Sequence, residues 1–272
     1  MPRLLWPLLI ALLLGACASE PVDQPERSEA AQYQKAQDSM QARNFNTAIS
    51  QLKELEARFP YGVYAQQAQL DLIYAHFRTS EYPEAVAAAK SYITSYPASP
   101  TLDYALYMRG LANFYMNRGI FDSIMSTDKA ARDLSSARTA FGNFEKLVTR
   151  FPNSQYAPDA RSRMVFIRNQ LAAHELYAAR YYARRGAYLA AINRAQYVIQ
   201  HYQQTPQVPE ALAIMVKGYQ RLDEPDLAAK SRKILEASWP KTEYLNDDGQ
   251  VELAWWPDEQ NSLLDLLTFD LL

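Results

Sequence analysis

An aromatic residue, usually followed by proline, recurs along this chain, each time with an alanine eleven residues before it. Phe59-Pro60 follows Ala48, Tyr96-Pro97 follows Ala85, Phe151-Pro152 follows Ala140 and Trp239-Pro240 follows Ala228; Tyr202 follows Ala191 without the proline. Fourteen residues before the closing aromatic stand Phe45, Tyr82 and Tyr188, with Ala137 and Pro225 in that place in the other two cases. The closing positions 59, 96, 151, 202 and 239 are 37, 55, 51 and 37 residues apart. A pair of helices joined by a short turn accounts for this pattern. The alanine lets the two helices approach, the turn aromatic fills the corner, and the proline stops the second helix while biasing the residue before it away from helix. In the first unit this predicts helix A over 33–43, a turn at Asn44-Phe45 and helix B over 46–58.

One such unit cannot bury its apolar face alone and must stack on neighbours. The pattern is similar to the tetratricopeptide family, whose period is 34. The expected fold class is all-α, an α-solenoid of about five tetratricopeptide-like helix-turn-helix units over 29–240. The two long intervals need their own explanation. Residues 118–133 read as a long loop that displaces the turn of the third unit. Residues 158–184 keep helical periodicity without a breaker, which predicts one long helix crossing from the third unit into the fourth. Only 8 glycines against 19 tyrosines suits tightly packed helices with aromatic fillers.

The first residues belong to a different problem. Arg3 precedes an apolar run from Leu4 to Leu14, the length of a signal-peptide core and too short for a transmembrane helix of ~20 residues. Leu14-Gly15-Ala16-Cys17 resembles a bacterial lipobox, which implies removal of residues 1–16 and acylation of Cys17, the sole cysteine. Ala18 in place of an aspartate points to the outer membrane, on its periplasmic face. Residues 17–28, with two prolines and few apolar side chains, read as a flexible lipidated tether.

Several function classes are excluded by what the chain lacks. A net charge of −2 gives no basic field for nucleic acid. With Cys17 acylated, no thiol is left for a disulfide, a metal or nucleophilic catalysis. His76, His174 and His201 fall in different units and in no metal-binding pattern, and neither a Walker A loop nor GxSxG nor GxGxxG is present. No enzyme, cofactor or metal site is expected.

Binding surfaces are the remaining chemistry. In 64–78, Leu70, Ile73 and Phe77 form an apolar row, and Gln67, Asp71, Tyr74 and Arg78 form a parallel polar row with one aromatic. Helix A residues of a tetratricopeptide solenoid line its concave face, so the second row reads either as a solvated face or as a groove for an extended peptide, with Arg78 offered to a carboxylate. In the fourth unit, Tyr188, Ala191, Ala195 and Tyr202 form the packing side, while Arg194, Tyr197 and His201 form a second row of the kind found at protein–protein hot spots. The segment 241–272 differs in kind. It interleaves acidic with bulky apolar residues and carries Trp255-Trp256-Pro257. It reads as a cap on the last repeats, as a helix for a partner, or as a disordered tail.

The runs Phe59-Pro60-Tyr61-Gly62, Gln69-Leu70-Asp71-Leu72-Ile73-Tyr74-Ala75, Tyr107-Met108-Arg109-Gly110-Leu111 and Phe151-Pro152-Asn153-Ser154-Gln155-Tyr156 closely resemble the BamD family, the lipoprotein subunits of the β-barrel assembly machinery. The resemblance spans about 28–240. It implies a non-enzymatic outer-membrane scaffold that binds BamA through its C-terminal repeats, associates with other Bam lipoproteins, and receives the C-termini of unfolded outer-membrane proteins on its N-terminal repeats. On this sequence that implies a substrate-peptide groove at Gln67, Asp71, Tyr74 and Arg78 and a partner surface at Arg194, Tyr197 and His201. A tetratricopeptide pilot lipoprotein for a secretin or pilus is the alternative. No role carries over to the tail.

Overall fold

The computed structural model describes residues 28–116 and 134–257. Cys17, the tether before residue 28, the expected loop 118–133 and the last fifteen residues of the sequence lie outside the described residues. Among the described residues there are ten helices: α1 (Glu29–Gln41), α2 (Phe45–Arg58), α3 (Ala65–Arg78), α4 (Tyr82–Ser95), α5 (Leu102–Met116), α6 (Ser135–Arg150), α7 (Ala157–Arg184), α8 (Tyr188–His201), α9 (Val208–Arg221) and α10 (Pro225–Ser238). The only strand-like pairing among the described residues is one antiparallel bridge, Leu245 to Val251. No described helix is long and apolar enough to cross a membrane. The fold is the expected helical repeat.

Contacts divide the chain into two compact units, one ending at Ser80 and one beginning at Glu81. In the first, α2 packs on both α1 and α3. Ala36, Leu52, Leu55, Ala68, Leu72 and Ala75 form its core, with Tyr33, Phe45 and Phe59 against it. In the second, each helix from α4 to α10 packs on the next. The repeated alanines sit where helices cross: Ala48, Ala85, Ala140 and Ala191 have no exposed surface and Ala228 is buried. Gly110 permits an equally close approach in the second unit, since a Cβ there would lie 2.5 Å from the ring of the fully buried Phe144. α7 has 28 residues, so the long uninterrupted pattern is one helix.

The closing aromatics share one backbone state. Phe59, Tyr96, Phe151, Tyr202 and Trp239 all follow a helix with φ between −127° and −138° and ψ between 40° and 64°. Four precede proline, which disfavours the helical region for them; Tyr202 adopts the same state without it. A second repeat follows each aromatic. Gly62, Ser99, Ser154, Thr205 and Thr242 donate their N–H to the aromatic's carbonyl, and Ala65, Leu102, Ala157, Val208 and Leu245 donate to theirs. The third position is small in every case, as the tight turn requires.

α1 starts at Glu29, four residues before the sequence expectation, because Ser28 caps it by accepting the Ala31 N–H at 3.2 Å. The turns that open α2, α8 and α10 each contain a left-handed residue two positions before the turn residue: Arg43 (φ 58°), Gly186 (φ 71°) and Asp223 (φ 57°). Only Gly186 adopts this without steric cost; a left-handed L-residue carries about 1–2 kcal/mol. Arg43→Gly relieves that strain and loses part of it again to the more flexible unfolded chain. The variant is expected to gain about 0.5 kcal/mol in urea denaturation.

Candidate functional site

The row expected on α3 is divided between two neighbours. Asp71 is tied to α1: it accepts hydrogen bonds from Tyr33 Oη at 2.9 Å and Gln37 Nε2 at 2.5 Å, and from Gln67 Nε2, one turn earlier on α3, at 3.0 Å. The Tyr33 ring stacks on Tyr64 at 4.6 Å, and Glu29 accepts the Tyr64 N–H at 2.7 Å. Tyr74 and Arg78 are tied to the start of α2. Arg78 donates to Tyr74 Oη at 2.5 Å, and its guanidinium lies 4.8 Å from the centroid of Phe45, which Tyr74 meets edge-on at 5.9 Å. Gln67 and Arg78 remain exposed, and Asp71 and Tyr74 are half-buried.

Burial pushes the Asp71 carboxyl above its ordinary range; hydrogen bonds from Gln67, Tyr33 and Gln37 oppose this without cancelling it, and no cation is among the causes. Tyr33 is raised by burial and by facing Asp71. A carboxyl raised in the fold favours folding below its unfolded pKa, and that contribution is lost as pH rises through the folded value.

Tyr61 and Val63, in the turn before α3, are 98% and 88% exposed. Helix periodicity could not find them because they lie outside any helix.

The row expected on α8 splits as well. Tyr197 and His201 are brought together, with ring centroids 4.1 Å apart, and both line a cleft of about 620 Å³ that also takes in Arg138 and Arg168. Arg194 is drawn away from them. Its Nη1 donates to Glu175 Oε2 at 2.9 Å, and Arg138 approaches the other oxygen at 3.6 Å. The Glu175 side chain is 5% exposed. Hydrogen bonding to Glu175 raises the Arg194 pKa further and keeps it charged. Arg194 is thus paired within the fold while its side chain stays 47% exposed.

A third cluster lies within the second unit. Tyr107 Oη and Arg163 Nε donate to Asp159 Oδ2 at 2.8 and 2.6 Å. Tyr107 stacks on Tyr156 at 4.8 Å, and the Arg163 guanidinium sits 5.0 Å from the Phe114 centroid. Phe166 packs edge-on against Phe114 while 44% exposed. The i,i+4 pair Asp159–Arg163 was the available signal. Burial alone would raise Asp159, but hydrogen bonds from Arg163 and Tyr107 and the Arg163 charge bring it below its ordinary value. Burial and Asp159 push the Tyr107 phenol up to about 12. The lowered carboxyl contributes stability above its unfolded pKa of ~3.9 and loses it as pH falls through the folded value. Because the pair is partly exposed, Asp159→Asn is expected to cost only about 0.5–1 kcal/mol at pH 7. The difference should shrink as pH falls below ~3.9 in paired denaturation curves.

Beyond α10 the chain folds back over the last helices. Val251 and Leu253 are buried, and Trp256 stacks on Tyr188 at 5.9 Å. Trp255 lies over Arg180, at 5.9 Å, which is held bidentate by the buried Glu210 at 2.6 Å twice. Arg221 donates to the Pro257 carbonyl at 2.9 Å.

The model of the outer membrane lipoprotein family YfiO matches residues 25–235. The outer membrane protein assembly factor BamD of Neisseria meningitidis serogroup B is 40% identical over 263 residues, covering 94% of this chain and 98% of the relative. The proteins of the same name from Pasteurella multocida and Vibrio cholerae are 38% and 35% identical, covering 86% and 84% of this chain and 90% and 95% of their own. A family match over most of the chain, and relatives aligned over nearly their whole length, show that this chain belongs to the BamD family of outer-membrane lipoproteins.

Proposed function

We propose that this protein is an assembly factor for outer-membrane β-barrel proteins, acting by binding alone and without catalysis. It is anchored by acyl chains on Cys17 in the periplasmic leaflet of the outer membrane, binds BamA through the surface of Tyr197 and His201 on α8, and receives the C-termini of unfolded barrel proteins on the α1–α3 face. The observation that carries the reading is the 40% identity, across nearly full length, to a Neisseria meningitidis protein named outer membrane protein assembly factor BamD.

The chemistry of the first unit supports the peptide role. An incoming barrel strand exposes unpaired backbone and aromatic side chains, which aggregate if left free. Gln67 offers amide contacts, Tyr74 a flat face, and Arg78 a cation for a carboxylate; both last groups are already oriented by Phe45. Such contacts hold weakly, as a transfer step requires. Two or more acyl chains on Cys17 make the anchoring stable, since one chain binds only marginally. Tethering raises the effective concentration beside a membrane-embedded partner.

The test is a pull-down from detergent-solubilised membranes with the acylated full-length protein. Wild type is expected to recover BamA, Tyr197→Glu to lose most of it, and Arg78→Glu to keep BamA while losing photo-cross-linking to a peptide with a barrel protein's C-terminal sequence. A wild-type sample that recovers a secretin ring and no BamA overturns the reading in favour of a pilot lipoprotein. Retention of BamA by Tyr197→Glu leaves the assembly role and removes the α8 surface from it.

A further inference from the structure

An apolar groove of about 480 Å³ runs along α10 in the second unit, between α8, α9 and α10. Ile199, Met215, Leu227, Ile234 and Trp239 line it, and Leu227 and Ile234 are 41% and 46% exposed. Its lining carries one cation, Lys230, and no carboxylate. An exposed apolar groove at the last helix of a repeat array needs a cover.

We propose that residues 258–272 of the same chain occupy this groove. The described chain stops at Pro257, whose carbonyl is held by Arg221 at the C-terminal end of α9. Tyr219, on the opposite face of α9 from Arg221, and Leu227, in the first turn of α10, line the end of the groove beside the C-terminus of α9, and Trp239 lines the other end. α10 has 14 residues, so the groove is about 21 Å long at 1.5 Å per residue. The fifteen residues that follow Pro257 cover about 50 Å extended, enough to pass the end of α9 and run the length of the groove, whereas an all-helical segment of about 22 Å would match the groove alone.

Composition fits the same occupant. Seven of the ten residues 263–272 are leucine or phenylalanine, which suits the apolar wall. Asp258, Glu259, Asp265 and Asp270 are the charged residues of the segment, and no lysine or arginine accompanies them. An all-acidic segment meets a groove whose one charged lining residue is a lysine. The segment just before it, from Tyr244 to Trp256, already packs against the core of these helices, so docking of 258–272 continues an existing intramolecular path. The inference does not depend on acylation or on any partner.

The test places the photoreactive residue benzoylphenylalanine at position 234 of the full chain. Irradiation should give an intramolecular link to residues 258–272, read by mass spectrometry on the monomer band. Leu266→Asp combined with Leu267→Asp should abolish the link and raise amide hydrogen exchange along α10 about tenfold, equivalent to ~1.4 kcal/mol of local opening. Links only to a second copy, at dimer mass, overturn the proposal in favour of exchange between chains. Links to neither, or exchange along α10 unchanged by the double variant, overturn it outright.

Discussion

Arg194→Glu is expected to lose about 3 kcal/mol of folding stability at pH 7, more than any other single change on the exposed face of α8. In the native protein the buried Glu175 carboxylate takes Arg194 at 2.9 Å and Arg138 at 3.6 Å. Charge reversal removes the closer cation and sets a second carboxylate against the first, inside a site where Glu175 has almost no access to water. Breaking a buried pair by removing one partner costs about 3–5 kcal/mol, and the lower end applies because the 194 side chain is half exposed. Two measurements separate this from a simple packing loss. Acidification should restore part of the stability, because two facing carboxylates take up a proton more readily in the fold than in the unfolded chain. That gain is full below the unfolded carboxylate range and disappears as pH rises. Glu175→Gln in the same chain should also rescue most of it, since the repulsion goes with the charge. Tyr197 is 41% exposed on the same helix, so Tyr197→Glu should cost less stability than Arg194→Glu. Loss of BamA by Arg194→Glu alone would therefore say nothing about the interface.

Arg194 also shows where reading the sequence stops. A periodicity argument assigns a residue to a helix face, and Arg194 does fall on the exposed face. Its partner Glu175 is 19 residues away on another helix, and which residues meet there depends on the rotation and offset of α8 against α7. Neither is written in a local pattern. Gln67 to Asp71 is the opposite case: an i,i+4 pair within one helix meets by helical geometry alone. The Tyr33 bond to Asp71 lies between. It joins residues 38 apart, one repeat period plus one, so the repeat brings them near but does not say that they bond.

The same contrast runs through the fold. The alanine crossings and the aromatic–proline closures were legible because each rests on a local steric rule, and 157–184 was legible as one helix because nothing in it breaks one. The helix-opening turns were not. Glycine marks a left-handed residue at Gly186, but arginine and aspartate hold the same conformation at Arg43 and Asp223, and neither announces it. The start of α1 was missed although Ser28 and Glu29 form a cap and an acidic first turn, a signal present and not used. In the candidate surfaces, face periodicity picked out five exposed residues and two half-buried ones, Asp71 and Tyr74, and it could not separate a side chain available to a partner from one already engaged within the fold.

Removal of residues 243–272 should cost about 5 kcal/mol, whereas removal of 258–272 alone should cost no more than about 1–2 kcal/mol. The difference follows from what lies before Pro257. Val251 and Leu253 are buried in the core of α7 to α10, and each fully buried aliphatic side chain contributes about 1.5–3 kcal/mol. The half-buried indoles of Trp255 and Trp256 add to this by covering the Arg180–Glu210 pair and Tyr188. Trp256→Ala should show an intermediate loss of about 2 kcal/mol, below the range for a wholly buried tryptophan because its ring is only partly enclosed. The backbone gives the reason this segment exists. After Trp239 the chain makes the same turn that starts α3, α5, α7 and α9, with Thr242 donating to Trp239 and Leu245 to Thr242. Among the described residues no sixth A helix follows. Leu245 pairs with Val251 instead, and the returning segment packs against the core of α7 to α10. An uncovered repeat end is apolar and unpaired, so the longer truncation should also associate, with light scattering rising before its thermal transition. Equal stability of the two truncations would mean that α9 and α10 hold their own end, and that the returning segment serves a purpose other than closure.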